Sequence, residues 1–92
     1  MPISDNVTNF AEILVEESIE ASGLENTMDP DLLQDVVCIA LNNLPPHYVR
    51  STLDVKINLS AEDRHALMSS VDAAVMAAVE VVNSGRRQHA RL

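Results

Sequence analysis

The chain has 92 residues, of which 47% are hydrophobic, 22% charged and 2% aromatic, a composition typical of one small globular domain rather than a disordered chain. Its net charge of −8 argues against nonspecific binding to long nucleic acids. The charge is unevenly distributed, because residues 1–46 hold nine acidic residues and no lysine or arginine, and all six basic residues lie in residues 47–92.

The first predicted element is an amphipathic helix over residues 4–22, with Ser4 as its N-cap and Gly23 as its stop. Apolar residues recur at helical spacing: Val7, Phe10, Ala11, Leu14 and Ala21. The opposite face carries a row of acids: Glu12, Glu16 and Glu20. The row predicts a solvated face, and residues 24–28 predict a polar loop.

A second helix is predicted to start at Asp29-Pro30-Asp31 and to end before Pro45-Pro46, because Asp caps helix N-termini and Pro suits the first helical position. Its apolar residues cover much of its circumference: Leu32, Leu33, Val36, Val37, Ile39, Ala40, Leu41 and Leu44. Such a helix is covered on two sides, and in a short chain another subunit can supply the second cover. Cys38 lies in this run and is predicted to be a small buried residue.

Residues 53–59 alternate apolar and polar side chains, which predicts the only strand of the chain. A lone strand has no ladder partner within its own fold, so we predict that two copies pair antiparallel in a homodimer. An extended segment packed on the helices is the alternative.

Ser60 with an acid three residues on predicts a helix start, and Gly85 predicts its end. The apolar stripe of this helix consists of Leu67, Val71, Ala74, Val75, Ala78 and Val82, widened by Met68, Met76, Val79 and Val81. Residues 86–92 form a basic tail. The fold prediction is a mostly α single domain over residues 1–92, with three to four helices and one short strand per chain, paired across a homodimer.

Secretion, membrane insertion and catalysis are not expected. The first residues lack a basic segment followed by an apolar run, and the apolar stretch 73–82 is short for a bilayer, so we expect a cytoplasmic bacterial-type protein. One cysteine, three scattered histidines and two distant glycines offer no disulfide framework, zinc set or phosphate loop. Cys38 with His47 is a poor nucleophile pair because nothing recognisable orients the base. We therefore expect a non-enzymatic protein without a metal or cofactor.

Residues 41–50 place polar and planar side chains beside a rigid double-proline corner. Tyr48 offers a face on which a base can stack, and Arg50 offers a planar cation for a phosphate or a guanine edge. Asn42 can both donate and accept hydrogen bonds. The alternative is structural, with Tyr48 closing the core and Arg50 paired with a helix acid.

Residues 35–49 resemble the signature of the late competence development protein ComFB family, roughly D-V-x-A-x-A-L-N-x-L-P-P-x-Y-V. The matching residues are Asp35, Val36, Ala40, Leu41, Asn42, Leu44, Pro45, Pro46, Tyr48 and Val49. Cys38 stands where the pattern has its first alanine. The resemblance covers most of the chain loosely, and only these fifteen residues are specific. Some members bind zinc through cysteines ahead of the motif, but residues 26–31 contain none, so no zinc is expected.

The resemblance implies a small helical homodimer that acts as a receptor for a cyclic dinucleotide, cyclic di-GMP or else cyclic di-AMP. It implies no catalysis and an effect exerted through a downstream protein, which the sequence does not name. In the hypothesis for the site, the arginines neutralise the phosphates and Tyr48 stacks on a base. A guanine edge is hydrogen-bonded by Asn42, His47 or Asp35. The predicted ligand-binding residues are Asp35, Asn42, Pro45, His47, Tyr48, Val49, Arg50, Arg64, Arg86 and Arg87.

Two other functions stay open from the sequence. One is a dimeric interaction module without a nucleotide ligand, whose acidic first helix docks a basic protein. The other is a DNA-binding dimer that uses the basic tail, which the acidic average and the lack of a basic recognition helix disfavour.

Overall fold

The computed structural model describes residues 7–50 and 59–88. Its elements are β1 (Thr8–Asn9), α1 (Phe10–Ser22), a 3₁₀ helix (Leu24–Asn26), α2 (Pro30–Asn42), β2 (Tyr48–Val49) and α3 (Ala61–Gln88). The long helix α3 packs against both α1 and α2. The predicted mostly helical fold with three helices is confirmed for this part of the chain.

The strands β1 and β2 pair with each other within one chain. They are antiparallel, with Thr8 opposite Val49 and Asn9 opposite Tyr48. Two-residue strands are too short to produce an alternating pattern, so the sequence did not predict them. Of the predicted strand 53–59, all but Leu59 lies outside the described residues, and Leu59 forms a bend packed against the core.

Helix α1 begins at Phe10, later than predicted. Its N-cap is Asn9, whose side chain accepts a hydrogen bond from the Ala11 N–H at 3.2 Å, and Ser4 lies outside the described residues. The helix cannot start earlier because residues 8–9 are extended in β1. Its end is confirmed, since Gly23 adopts a left-handed conformation with φ of 74°.

The predicted polar loop after Gly23 is partly helical. Leu24–Asn26 forms a 3₁₀ helix, and Leu24 and Met28 are partly buried against the core. The prediction of a polar loop was wrong because its two end residues, Leu24 and Met28, are apolar and pack against the core.

Helix α2 begins as predicted, with the Asp29 carboxylate accepting from the Asp31 N–H at 3.1 Å and Pro30 at the first helical position. Its other predicted apolar residues pack against the core around the buried Val36 and Ala40. Cys38, predicted to be buried, is exposed. It is two positions from both buried residues, about 200° around the helix axis, and therefore faces away from the core.

Helix α3 also begins as predicted, because the Ser60 hydroxyl accepts from the Asp63 N–H at 3.0 Å. Its predicted stripe is confirmed, and the buried members are Val71, Val75, Ala78 and Val82. Two residues predicted to widen the stripe, Met76 and Val81, are 55% exposed. The predicted stop at Gly85 was wrong, because glycine costs only about 1 kcal/mol relative to alanine inside a helix and good helix formers follow it.

By length and composition, α3 is also apolar enough to cross a membrane. An 18-residue window within Ala61–Gly85 has a mean hydropathy of 1.4, and 22% of that window is buried in the fold. One such helix is weak evidence for a membrane span, and the buried stripe of α3 packs on α1 and α2.

The core lies where the three helices meet. Its buried apolar residues are Phe10, Ala11, Leu14, Val15, Ile19, Val36, Ala40, Val71, Val75, Ala78 and Val82. Ser18 is the buried polar residue of the described part, and its hydroxyl donates to the Asp72 carboxylate at 2.6 Å, which links α1 to α3. The N-terminus of α1 lies beside the segment that connects α2 to β2, because the Phe10 N–H donates to the His47 carbonyl at 2.7 Å.

Candidate functional site

After α2 the chain turns at Asn43 and bends at Leu44, and it then continues through Pro45, Pro46 and His47, which we call the proline corner. The corner is held by the junction of β1 and α1. The Asn9 side-chain oxygen accepts from the His47 N–H at 2.9 Å, and the Phe10 N–H donates to the His47 carbonyl at 2.7 Å. Both backbone groups of His47 are therefore bonded to one rigid junction.

Tyr48 follows the proline corner and is 66% exposed. Its neighbour Val49 is partly buried and packs against the core. Successive side chains of a strand point to opposite sides, so Val49 points inward and Tyr48 outward. The structural alternative in which Tyr48 closes the core is wrong for this chain.

Arg50 lies directly after β2 and is exposed. Within residues 7–50 and 59–88, the ion pair is that of Arg64 with Glu17, and Arg50 has no acidic partner there. The structural alternative, in which Arg50 pairs with a helix acid, thus finds no support among the described residues. Tyr48 and Arg50 place an aromatic ring and a cation two residues apart on the surface.

The other predicted arginines lie at opposite ends of α3. The Arg64 guanidinium is 3.2 Å from the Glu17 carboxylate, and the two side chains are 43% and 34% exposed. Arg86 and Arg87 belong to the last turn of α3, more than 20 positions further on and about 33 Å away at 1.5 Å per residue. The structure therefore does not bring Arg64 together with the tail arginines in one chain.

The predicted residues of α2 are both exposed. Asp35 and Asn42 lie seven positions apart, which places them two turns apart on the same side of the helix. Asn42 is the last residue of α2 and lies on the approach to the proline corner. The structure thus gathers Asn42 and residues 45–50 in one region, with Asp35 about 10 Å further along the helix.

A cavity of ≈ 230 Å³ lies beneath the proline corner. Its mostly apolar lining consists of Ala11, Leu14, Leu44, Pro45, Pro46, His47, Leu67, Ser70 and Val71. The His47 and Phe10 rings also form a T-shaped pair, with the ring centres 6.2 Å apart. Because Leu67 and Ser70 belong to the first turns of α3, the corner adjoins the Arg64 end of that helix and not the tail end.

Asn9 is a site residue that the sequence patterns did not predict. The signal was present, because Asn9 stands three residues before Glu12, the spacing at which a capping residue precedes an acid. Its contact with His47 joins residues 38 positions apart, which no local pattern indicates.

Among residues 7–50 and 59–88, no three His, Cys, Asp or Glu side chains are grouped so that they could hold a metal ion. The charged residues predicted for the site near the proline corner, Asp35 and Arg50, are instead single exposed side chains.

One family model, described as late competence development protein ComFB, matches residues 8–86. No curated protein and no solved structure matches the chain. The matched range begins at β1 and reaches the last turns of α3, so it includes the proline corner and all three helices.

Proposed function

The chain belongs to the ComFB family, and from that premise we propose that it is a receptor for a cyclic dinucleotide, with cyclic di-GMP the first ligand to test and cyclic di-AMP the second. The proposal includes no chemical step. The bound ligand would change the affinity of the protein for a downstream protein, because a ligand shifts a population towards the state that it binds better.

The observation that carries the proposal is the exposure of Tyr48. The chain has only two aromatic residues, and Phe10 is fully buried whereas Tyr48 is 66% exposed. A base stacked on an aromatic ring contributes about 1–3 kcal/mol to binding. Because the backbone before Tyr48 is already hydrogen-bonded, little further order has to be imposed when a base stacks on it.

Arg50 supports the same proposal through charge. A cyclic dinucleotide carries two phosphates, and a protein of net charge −8 repels them unless a local cation is free to bind. Arg50 is exposed beside Tyr48 without an ion pair among the described residues, whereas Arg64 is already paired with Glu17. We therefore assign the main phosphate contact to Arg50.

The symmetry of the ligand favours a homodimer. Two bases and two phosphates related by a two-fold axis are matched by two copies of the Tyr48–Arg50 segment around a two-fold axis of the protein. In such an arrangement the tail arginines could reach the ligand only from the second protomer, since each lies at the far end of its own α3. Sedimentation of the free protein tests this part of the proposal, which requires a dimer at micromolar concentration.

Calorimetric titration with cyclic di-GMP and with cyclic di-AMP tests the receptor proposal, with GMP as the control that lacks the cyclic two-fold structure. We expect heat of binding from at least one cyclic dinucleotide and a weaker interaction with GMP. Absence of heat with both cyclic dinucleotides at micromolar protein would overturn the proposal.

A second candidate function is a docking module for a basic protein. The observation that favours it is the row of exposed acids on α1, formed by Glu12, Glu16 and Glu20. This function requires binding of a basic peptide that is lost when the three acids are changed to glutamine and is unaffected by Tyr48→Ala. The receptor function instead requires binding of a nucleotide that is lost in Tyr48→Ala and is unaffected when the three acids are changed to glutamine.

A further inference from the structure

The side-chain oxygen of Asn9 accepts two hydrogen bonds from different parts of the fold. One comes from the Ala11 N–H in the first turn of α1, at 3.2 Å, and the other from the His47 N–H in the proline corner, at 2.9 Å. The first is the ordinary contact of a helix cap. The second spans 38 positions and has no role in capping.

We propose that Asn9 is a positioning residue that fixes Tyr48 in its outward orientation for ligand binding. The inference rests on the proposed receptor function and adds a residue to its site. Asn9 acts through the backbone of His47, the residue before Tyr48, and is paired with Tyr48 itself in the β1–β2 ladder.

The sequence of the proline corner explains why one side chain matters here. Pro45 and Pro46 have no N–H group, so the corner cannot donate a backbone hydrogen bond until His47. The His47 N–H is bonded to Asn9 and the His47 carbonyl to the Phe10 N–H. Removal of the Asn9 oxygen therefore leaves the corner with one of these two contacts.

The same geometry joins the ligand region to the start of α1. If Asn9 connects them, a ligand that holds Tyr48 in place also strengthens the hydrogen bonds of Phe10 and Ala11, because coupling between two sites is reciprocal. Amide hydrogen exchange at these two residues should slow when ligand binds.

Two substitutions separate the capping role from the positioning role. Asn9→Ser keeps a good capping oxygen but has a shorter side chain, so we expect it to cap α1 without reaching His47. Asn9→Asp keeps an acceptor at the same distance and serves as the matched control. If Asn9 acts only as a helix cap, both variants should behave like the wild type.

The readout is the fluorescence of Tyr48. The chain has one tyrosine and no tryptophan, so intrinsic fluorescence reports on this site alone. In the ligand-free protein we expect Asn9→Ser to lower the anisotropy of Tyr48 and increase its quenching by acrylamide, with helix content unchanged. Asn9→Asp should resemble the wild type, and Asn9→Ser should weaken cyclic di-GMP binding about tenfold.

Wild-type anisotropy and quenching in Asn9→Ser would overturn the positioning role. Absence of cyclic di-GMP binding by the wild type would instead overturn the receptor function, and the fluorescence comparison would still decide the role of Asn9 without ligand. If Asn9→Ser does not fold, amide exchange in the wild type replaces it. The His47 amide should then exchange as slowly as those of Phe10 and Ala11, and fast exchange would contradict the proposal.

Discussion

The helical core and the proline corner of this protein are held by different forces. The core joins α1, α2 and α3 through buried apolar residues at helical spacing, so many small contacts share the stabilisation. The corner has two prolines and two hydrogen bonds to His47, and the exposed Tyr48 follows it directly. A change in the core should therefore alter stability, and a change at the corner should alter what the surface can bind.

The largest expected effect comes from the two aromatic residues. Phe10→Ala should lower the free energy of unfolding by about 3–5 kcal/mol, because it removes a fully buried ring. Tyr48→Ala, on the exposed side of β2, should stay within about 0.5 kcal/mol of the wild type. Urea unfolding followed by circular dichroism measures both values. Equal destabilisation by the two changes would contradict the division between core and corner.

The two glycines provide a second contrast, because replacing each by alanine should change the stability in opposite directions. Gly23→Ala should destabilise the protein by about 1–2 kcal/mol, because Gly23 has φ of 74°. An added Cβ there meets no atom within 4 Å, so the effect is conformational and not steric crowding. Gly85→Ala should stabilise the protein by up to about 1 kcal/mol, because α3 continues through residue 85. Destabilisation by Gly85→Ala would contradict the continuation of α3 past residue 85 and would indicate that the helix ends at Gly85.

The smallest expected effect concerns the polar contact within the core. Ser18→Ala should reduce stability by about 1 kcal/mol, because it removes the 2.6 Å hydrogen bond to Asp72 between α1 and α3. Ser22→Ala is the matched control, since that hydroxyl is exposed and donates only to a carbonyl of its own helix. The same denaturation experiment compares the two, and an equal loss from both variants would mean that the Ser18 contact contributes nothing specific.

The sequence predicted the helices better than the corner, for a physical reason. Capping by Asp29 and Ser60 and the left-handed stop at Gly23 are local effects, and each was recognisable from a few neighbouring residues. The β1–β2 pairing and the contact of Asn9 with His47 join residues about 40 positions apart, and nothing in either segment alone indicates the other.

The errors have the same origin. Cys38 was expected to be buried because its neighbours are apolar, but two positions around a helix are enough to turn a side chain away from the core. At residues 41–50 the sequence indicated which side chains offer a stacking face and a cation. It did not indicate whether they face the core or the solvent, and the structure supplies that answer for Tyr48 and Arg50.

The most direct test of the account is a titration of the wild-type protein with cyclic di-GMP, followed through Tyr48 fluorescence and calorimetry, beside Tyr48→Ala and Arg50→Ala. We expect saturable binding by the wild type with a change in Tyr48 emission. Affinity should be at least about fivefold weaker in each variant, since both the stacking contact and the charged hydrogen bond are worth about 1 kcal/mol or more. Saturable binding that neither variant weakens would contradict the placement of the site at the proline corner.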